Sequence, residues 1–408
     1  MFLYFINALS IKETGTVVFD GNEKKLNIDT KVVHGGKCFD PLTGAVSIPI
    51  YQSATFRHPG LNQTTGYDYS RLQNPTREEV ENTLAYLENG SNAFAFSSGM
   101  AAVSTVLSLF SPGQHIVVSD DLYGGTYRLF EEIYKKYGIE FSYVDTSKIE
   151  EIEASLKKNT AAIFIETPSN PTMKVGDIKL IADLAKKSNI LTIVDNTFLT
   201  PLFQRPLDLG ADIVIHSATK YLGGHNDTLA GFVVVNDIDL AERIKLIQKS
   251  VGAVLSPFDS WLILRGIKTL SVRLLKQQEN AIAIAKWLKS NDKVEKVYYV
   301  GLPEHEGHEI SKKQATGFGA MLSFTVKDEA LVERILERVK LIMFAESLGG
   351  VETLITYPIV QTHSAIPKEI RDRIGVNEKL LRLSVGIENA EDIINDLSLA
   401  NIPGYKIN

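Results

Sequence analysis

Between residues 92 and 236 the chain alternates short apolar runs with amphipathic stretches. Seven runs have the length and the β-branched or aromatic content of buried strands: NAFAFS (92–97), HIVVSD (115–120), EFSYVD (140–145), AAIFIET (161–167), LTIVDN (191–196), DIVIHS (212–217) and AGFVVVN (230–236). Between them GMAAVSTVLSLF, GTYRLFEEIYKKYG, IEEIEASLKK and DIKLIADLAKKSN carry apolar residues at helical spacing. This alternation predicts an α/β fold: a mostly parallel seven-stranded sheet flanked by helices on both faces. In such sheets ligands gather at the carboxyl ends of the strands.

The flanks read differently. Residues 1–75 have weak periodicity and turn-rich pieces such as HGGKCFDPLTGAVSIPIYQS and HPGLNQTTGYDYS. They predict an N-terminal extension and an arm that packs on something else. A long helical pattern over 258–290 leads into VEKVYYVG, GAMLSFTV and the helical AEDIINDLSLAN, the parts of a smaller C-terminal α+β domain. The division predicted is 1–75, 76–271 and 272–408, with no internal repeat and no low-complexity linker.

Composition narrows the class. Over 408 residues the content is 44% hydrophobic and 23% charged, ordinary for a globular protein, and the net charge is −6. An acidic balance argues against nucleic acid as a partner, since phosphate backbones are bound by a basic excess. The single cysteine, Cys38, excludes an internal disulfide and suits a reducing compartment. It has no His/Cys cluster at metal-ligand spacing beside it, so a buried or incidental thiol and no metal site are expected. MFLYFINALS is apolar but lacks a basic start, and no stretch is long enough to span a bilayer. A cytoplasmic protein is the expectation.

The strand ends collect unusual residues. NAFAFS runs into Ser98 and Gly99 at a strand-to-helix turn, where helical amides form an anion cradle or Ser98 is simply a cap. LTIVDN ends in Asp195, which either caps the next turn or meets a protonated ring nitrogen. AAIFIET ends at Glu166 and the proline-bracketed PSNPT supplies Asn170, while Tyr123 precedes two glycines. DIVIHS ends in Ser217, with Thr219 and Lys220 directly after it. An amine, a carboxylate, an amide, an aromatic plane and a phosphate cradle on one sheet edge are the parts a pyridoxal 5'-phosphate site needs.

Eight stretches in order, YDYSRLQNPTR, FSSGMAA, DLYGGTYRLF, IETPSNPT, VDNTF, HSATKYLGGH, AESLGGVETL and LLRLSVGIE, resemble the trans-sulfuration family of pyridoxal-phosphate enzymes. The resemblance covers the chain from about residue 28 to its end. It implies the aspartate-aminotransferase-like fold (fold type I) and a homotetramer built from two catalytic dimers. It makes Lys220 the lysine that bonds to the cofactor and a catalytic residue, with Asp195 facing the ring nitrogen. It stacks Tyr123 on the ring, where it also serves catalysis, and sets Asn170 at the phenolic oxygen. Gly99, Met100, Ser217 and Thr219 hold the phosphate, and Tyr69 and Arg71 reach from the arm to the neighbouring subunit's phosphate. Arg382 matches the residue that binds the substrate α-carboxylate.

The resemblance separates members less well. Gly125 stands where methionine γ-lyases carry cysteine. Glu346 resembles the acid that faces the distal amino group of cystathionine, the alternative being an ordinary surface acid. Ser347, beside it, is grouped with the substrate residues, and Arg128 is a candidate for a distal carboxylate or an exposed helix arginine. These points imply a cystathionine γ-synthase, joining activated homoserine to cysteine, with γ-lyase activity in reserve. TYPIVQTHSAIP departs from the usual HPA…MTH pattern and keeps cystathionine β-lyase open, with methionine γ-lyase and O-acylhomoserine sulfhydrylase behind it. A non-catalytic oligomeric scaffold is the contrasting reading, and the intact amine, acid and donors oppose it.

Overall fold

The computed structural model describes residues 26–35, 39–364 and 366–400. The N-terminal stretch 1–25 and Cys38 lie outside the described residues. All seven predicted strands form: β1 Asn92–Phe96, β2 His115–Ser119, β3 Glu140–Val144, β4 Thr160–Glu166, β5 Leu191–Asp195, β6 Ile213–Ser217 and β7 Gly231–Val235. Their order across the sheet is β1-β7-β6-β5-β4-β2-β3. Only β7 runs against its neighbours, pairing antiparallel with β1 and β6. Alternate side chains explain the continuous apolar runs. Ile116, Val118, Ala162 and Phe164 join the core on one face, whereas Val117, Ile163, Ile165 and Val194 join the core on the other.

Helices start where side chains can cap them. In α1, Ile28–His34, Asn27 accepts the Asp29 N–H. In α2, Pro75–Glu88, Asn74 accepts the N–H groups of Thr76 and Arg77, and Pro75 fills the first turn. Such a cap stabilises a helix by about 1 kcal/mol. Between these helices, residues 39–74 hold only an isolated bridge, Thr55 to Tyr69, among the described residues. Leu42, Val46 and Leu61 of this segment are 82%, 76% and 92% exposed.

Two sequence expectations need correction. The helical pattern over 258–290 is two helices, Pro257–Ile267 and Leu270–Ser290. The edge expected at 272 therefore falls inside the first turn of the second helix. The patterns GMAAVSTVLSLF and GTYRLFEEIYKKYG are likewise shorter as helices: α3 is Gly99–Leu107, α4 is Gly124–Glu132, and Tyr134–Tyr137 is a 3-10 turn closed by Gly138.

The C-terminal part carries a five-stranded sheet, β8 Val294–Tyr298, β9 Met321–Val326, β10 Met343–Phe344, β11 Leu354–Thr356 and β12 Leu380–Ser384. Its order is β10-β11-β12-β9-β8. The result is the α/β architecture foreseen, a mostly parallel sheet with a smaller C-terminal sheet domain. No described helix is long and apolar enough to cross a membrane.

Candidate active site

A cavity of about 430 Å³ opens at the carboxyl ends of the central strands, bounded on its other side by the C-terminal domain. The first turn of α3 forms one wall. Ser98 caps it, its hydroxyl accepting the Ala101 N–H at 3.1 Å, so the capping reading of Ser98 holds. Gly99 and Met100 line the cavity ahead of the first intrahelical acceptors. A Cβ on Gly99 would lie 2.8 Å from the Cβ of Ser217, and only glycine lets the helix start meet the end of β6. Ser217 and Thr219 face the same space, although the Thr219 hydroxyl also exchanges hydrogen bonds with Ala230.

Lys220 follows β6 because the chain turns sharply there. Its Nζ donates to the Ser347 hydroxyl at 3.0 Å. Burial, with the nearby Arg382 charge adding to it, pushes the amine down to about 8. Ser347 itself adopts φ 130°, a strained conformation for a residue with a side chain. Asp195 ends β5, caps the next turn and faces the cavity. One oxygen accepts the Thr197 N–H at 3.0 Å and its hydroxyl at 2.5 Å, while the residue lines the cavity. Burial pushes its carboxyl up, and the Thr197 donors pull it back.

Arg382 projects from β12. Its terminal nitrogens donate to Asn170 Oδ1 at 2.8 Å, Ser347 O at 3.0 Å and Thr356 Oγ1 at 3.1 Å. Its Nε is buried and has no partner among the described residues, and the residue lines the cavity. Asn170 comes from a loop with cis peptides at Thr167–Pro168 and Asn170–Pro171. Its carbonyl accepts from His363 Nε2 at 3.0 Å. Tyr123 and Glu346 complete the wall. Burial, then the Glu346 charge, raises the Tyr123 phenol above its ordinary range.

Three sequence candidates lie elsewhere. Tyr69 and Arg71 do not line this cavity. Tyr69 is 45% exposed with the Arg71 guanidinium 5.7 Å from its ring, and Arg71 donates to the Lys249 carbonyl. Arg128 is exposed on α4 and bears on the Tyr123 phenol only electrostatically. Conversely, sequence reading noted Glu166 at its strand end but gave it no role, and it passed over Thr362 and His363. Glu166 Oε2 accepts the Tyr123 N–H at 3.0 Å. Its place at a strand end, level with Asp195, was the available signal; nothing local marks Thr362 or His363.

The residues present fit pyridoxal 5'-phosphate: a largely shielded amine of lowered basicity, an acid at the end of β5, and a helix start that faces the cavity beside Ser217 and Thr219. Comparison with known proteins agrees. The family model described as Cys/Met metabolism PLP-dependent enzyme matches residues 29–400. The chain is 54% identical over 374 residues to cystathionine beta-lyase of Lactococcus lactis subsp. cremoris, covering 92% of this chain and 98% of that protein. It is 52% identical to cystathionine gamma-synthase/O-acetylhomoserine (thiol)-lyase of Bacillus subtilis, covering 92% and 96%. The crystal structure of cystathionine gamma-lyase from Lactobacillus plantarum, complexed with L-serine, superposes with a TM-score of 0.90 at 46% identity, covering 92% and 98%. The chain therefore belongs to the Cys/Met metabolism family of pyridoxal-phosphate-dependent enzymes, within its trans-sulfuration group.

Proposed function

We infer that the chain makes or breaks a carbon–sulfur bond of cystathionine, with chemistry at the γ-carbon as the first reading. The observation that carries this is the meeting of Lys220, Arg382 and Glu346 in one cavity. The Arg382 guanidinium suits the α-carboxylate of an amino acid. The Glu346 carboxylate suits a distal ammonium, which cystathionine carries and methionine lacks.

Gly99, Met100, Ser217 and Thr219 are the residues to hold the phosphate, Asp195 the ring nitrogen's proton, and Asn170 the phenolic oxygen. When bound, the cofactor supplies the electron sink that allows a Cα–H bond to break. Lys220 is the base that takes and returns protons on the substrate carbons, its lowered basicity matching it to neutral pH. Tyr123, whose phenol is held protonated by burial and the Glu346 charge, is the proton donor in this reading for the departing sulfur. Tyr69 and Arg71 serve a neighbouring subunit's site, in an assembly of two catalytic dimers, and the arm 1–75 is the element that reaches it. The large domain spans 76–271 and the small domain 272–408, the boundary lying in the first turn of the long helix Leu270–Ser290 that joins them.

The β-lyase reading is kept by the 54% identical relative of that name. Products separate the two. γ-Elimination converts cystathionine and water to cysteine, 2-oxobutyrate and ammonia; β-elimination yields homocysteine, pyruvate and ammonia. A side-by-side assay offers cystathionine alone and acylated homoserine with cysteine. 2-Oxobutyrate from the first, or cystathionine from the second, supports the γ-carbon; pyruvate alone overturns it in favour of the β-lyase.

A further inference from the structure

The cavity holds two acids side by side. Glu166 ends β4 and Asp195 ends β5, and the two are paired in register across parallel strands. Both side chains therefore leave the same face of the sheet, and both line the cavity. Their surroundings differ. Asp195 receives two donors from Thr197 on one oxygen, which favours its charged form. Glu166 is 8% exposed and receives one backbone donor, the Tyr123 N–H.

The groups facing Glu166 are Asp195 from β5, Asp121 and Tyr123 from the segment after β2, and Arg382 from β12. Asp121 is itself buried, held by Ser169 and Thr172. Arg382 is occupied by Asn170, Ser347 and Thr356 and gives Glu166 no direct contact. Two adjacent carboxylates shielded from bulk water resist ionising together, and the one with fewer donors keeps the proton. Burial first, then the Asp195 charge, pushes the Glu166 carboxyl well above the ordinary carboxylate range.

We propose that Glu166 is a neutral carboxylic acid in the resting enzyme, a positioning residue that tethers the Tyr123 backbone and leaves Asp195 as the single negative charge of the pair. The proposal rests on the reading of Asp195 as the partner of the cofactor's ring nitrogen. A second charge at Glu166 would blur that pairing, and a residue without an acceptor there would free the segment that carries the Tyr123 ring.

The test uses the holoenzyme grown with carboxyl-labelled glutamate and read by infrared spectroscopy near neutral pH. A protonated-carboxyl stretch should shift with the label and vanish in Glu166→Gln; in Glu166→Asp it should lose its sensitivity to the label. In parallel, Glu166→Gln should move the pH midpoint of the cofactor's visible band by less than about 0.3 unit, because the amide replaces an uncharged acid. Absence of a protonated glutamate band, or a midpoint shift of about one unit or more, overturns the proposal. The cofactor reading fails separately, through a wild-type protein with no visible band, while the infrared signal of cofactor-free protein still reports on Glu166 alone.

Discussion

Lys220 Nζ lies 3.0 Å from the Ser347 hydroxyl, a hydrogen bond between residues 127 positions apart. It joins the end of the large sheet to the C-terminal domain at the cavity. The same Ser347 accepts from Arg382 through its carbonyl. One strained serine thus places the amine and the guanidinium relative to each other.

The first prediction concerns that amine. With its pKa pushed down to about 8, about one-tenth of Lys220 is neutral at pH 7, against about one in several thousand for an ordinary lysine. In cofactor-free protein, modification by an amine-directed reagent should rise to a plateau with a midpoint near 8. Peptide mapping should find it at Lys220. A midpoint above 10 would place the amine in water.

Arg382→Lys should keep the fold and the cofactor but raise KM for the amino-acid substrate by about 10- to 100-fold, the loss of a charged hydrogen bond worth about 1.5–3 kcal/mol. Steady-state kinetics beside the cofactor spectrum checks this. An unchanged KM would remove Arg382 from the α-carboxylate.

How much of this was legible beforehand follows from range. Apart from the edge strand β3, which is half-buried or exposed throughout, strands β1 to β7 are mostly buried between helices, and each announces itself as a local apolar run. The residues at their ends, Asp195, Ser217 and Lys220, could be placed by counting from those runs. The breaks were harder. The helix ending at Ile267 and the one starting at Leu270 share one apolar periodicity. β10 and β11 have two and three residues, too short for alternation to register. His363 and Thr362 reach the site only through folding. Thr362 lines the cavity, and its carbonyl packs 2.0 Å from where a Cβ on Gly124 would stand. Contacts between distant segments leave no periodic trace.

The acid limb of stability follows from two imidazoles, His363 fully buried and His305 half-buried. Burial, with the Arg382 charge, pushes His363 down to about 3, and burial pushes His305 down to about 4. In the unfolded chain both protonate near about 6.5. Below that pH the unfolded state binds protons that the folded state refuses, so stability falls as pH drops from about 6.5 toward these values. Their contribution is complete above that window. His363→Gln, which keeps a donor for the Asn170 carbonyl, should flatten the decline by about 1.4 kcal/mol per pH unit, an upper bound for one histidine. Urea unfolding at a series of pH values checks the slope; parallel curves for variant and wild type would show His363 charged in the folded state.

The central claim is that Lys220 is the residue to which the cofactor bonds. Reducing the purified holoenzyme with borohydride and locating the pyridoxyl group by peptide mass spectrometry tests it most directly. The predicted result is loss of the visible band with the label on the Lys220 peptide alone. A label on another lysine, or none on the Lys220 peptide despite loss of the band, would contradict the account.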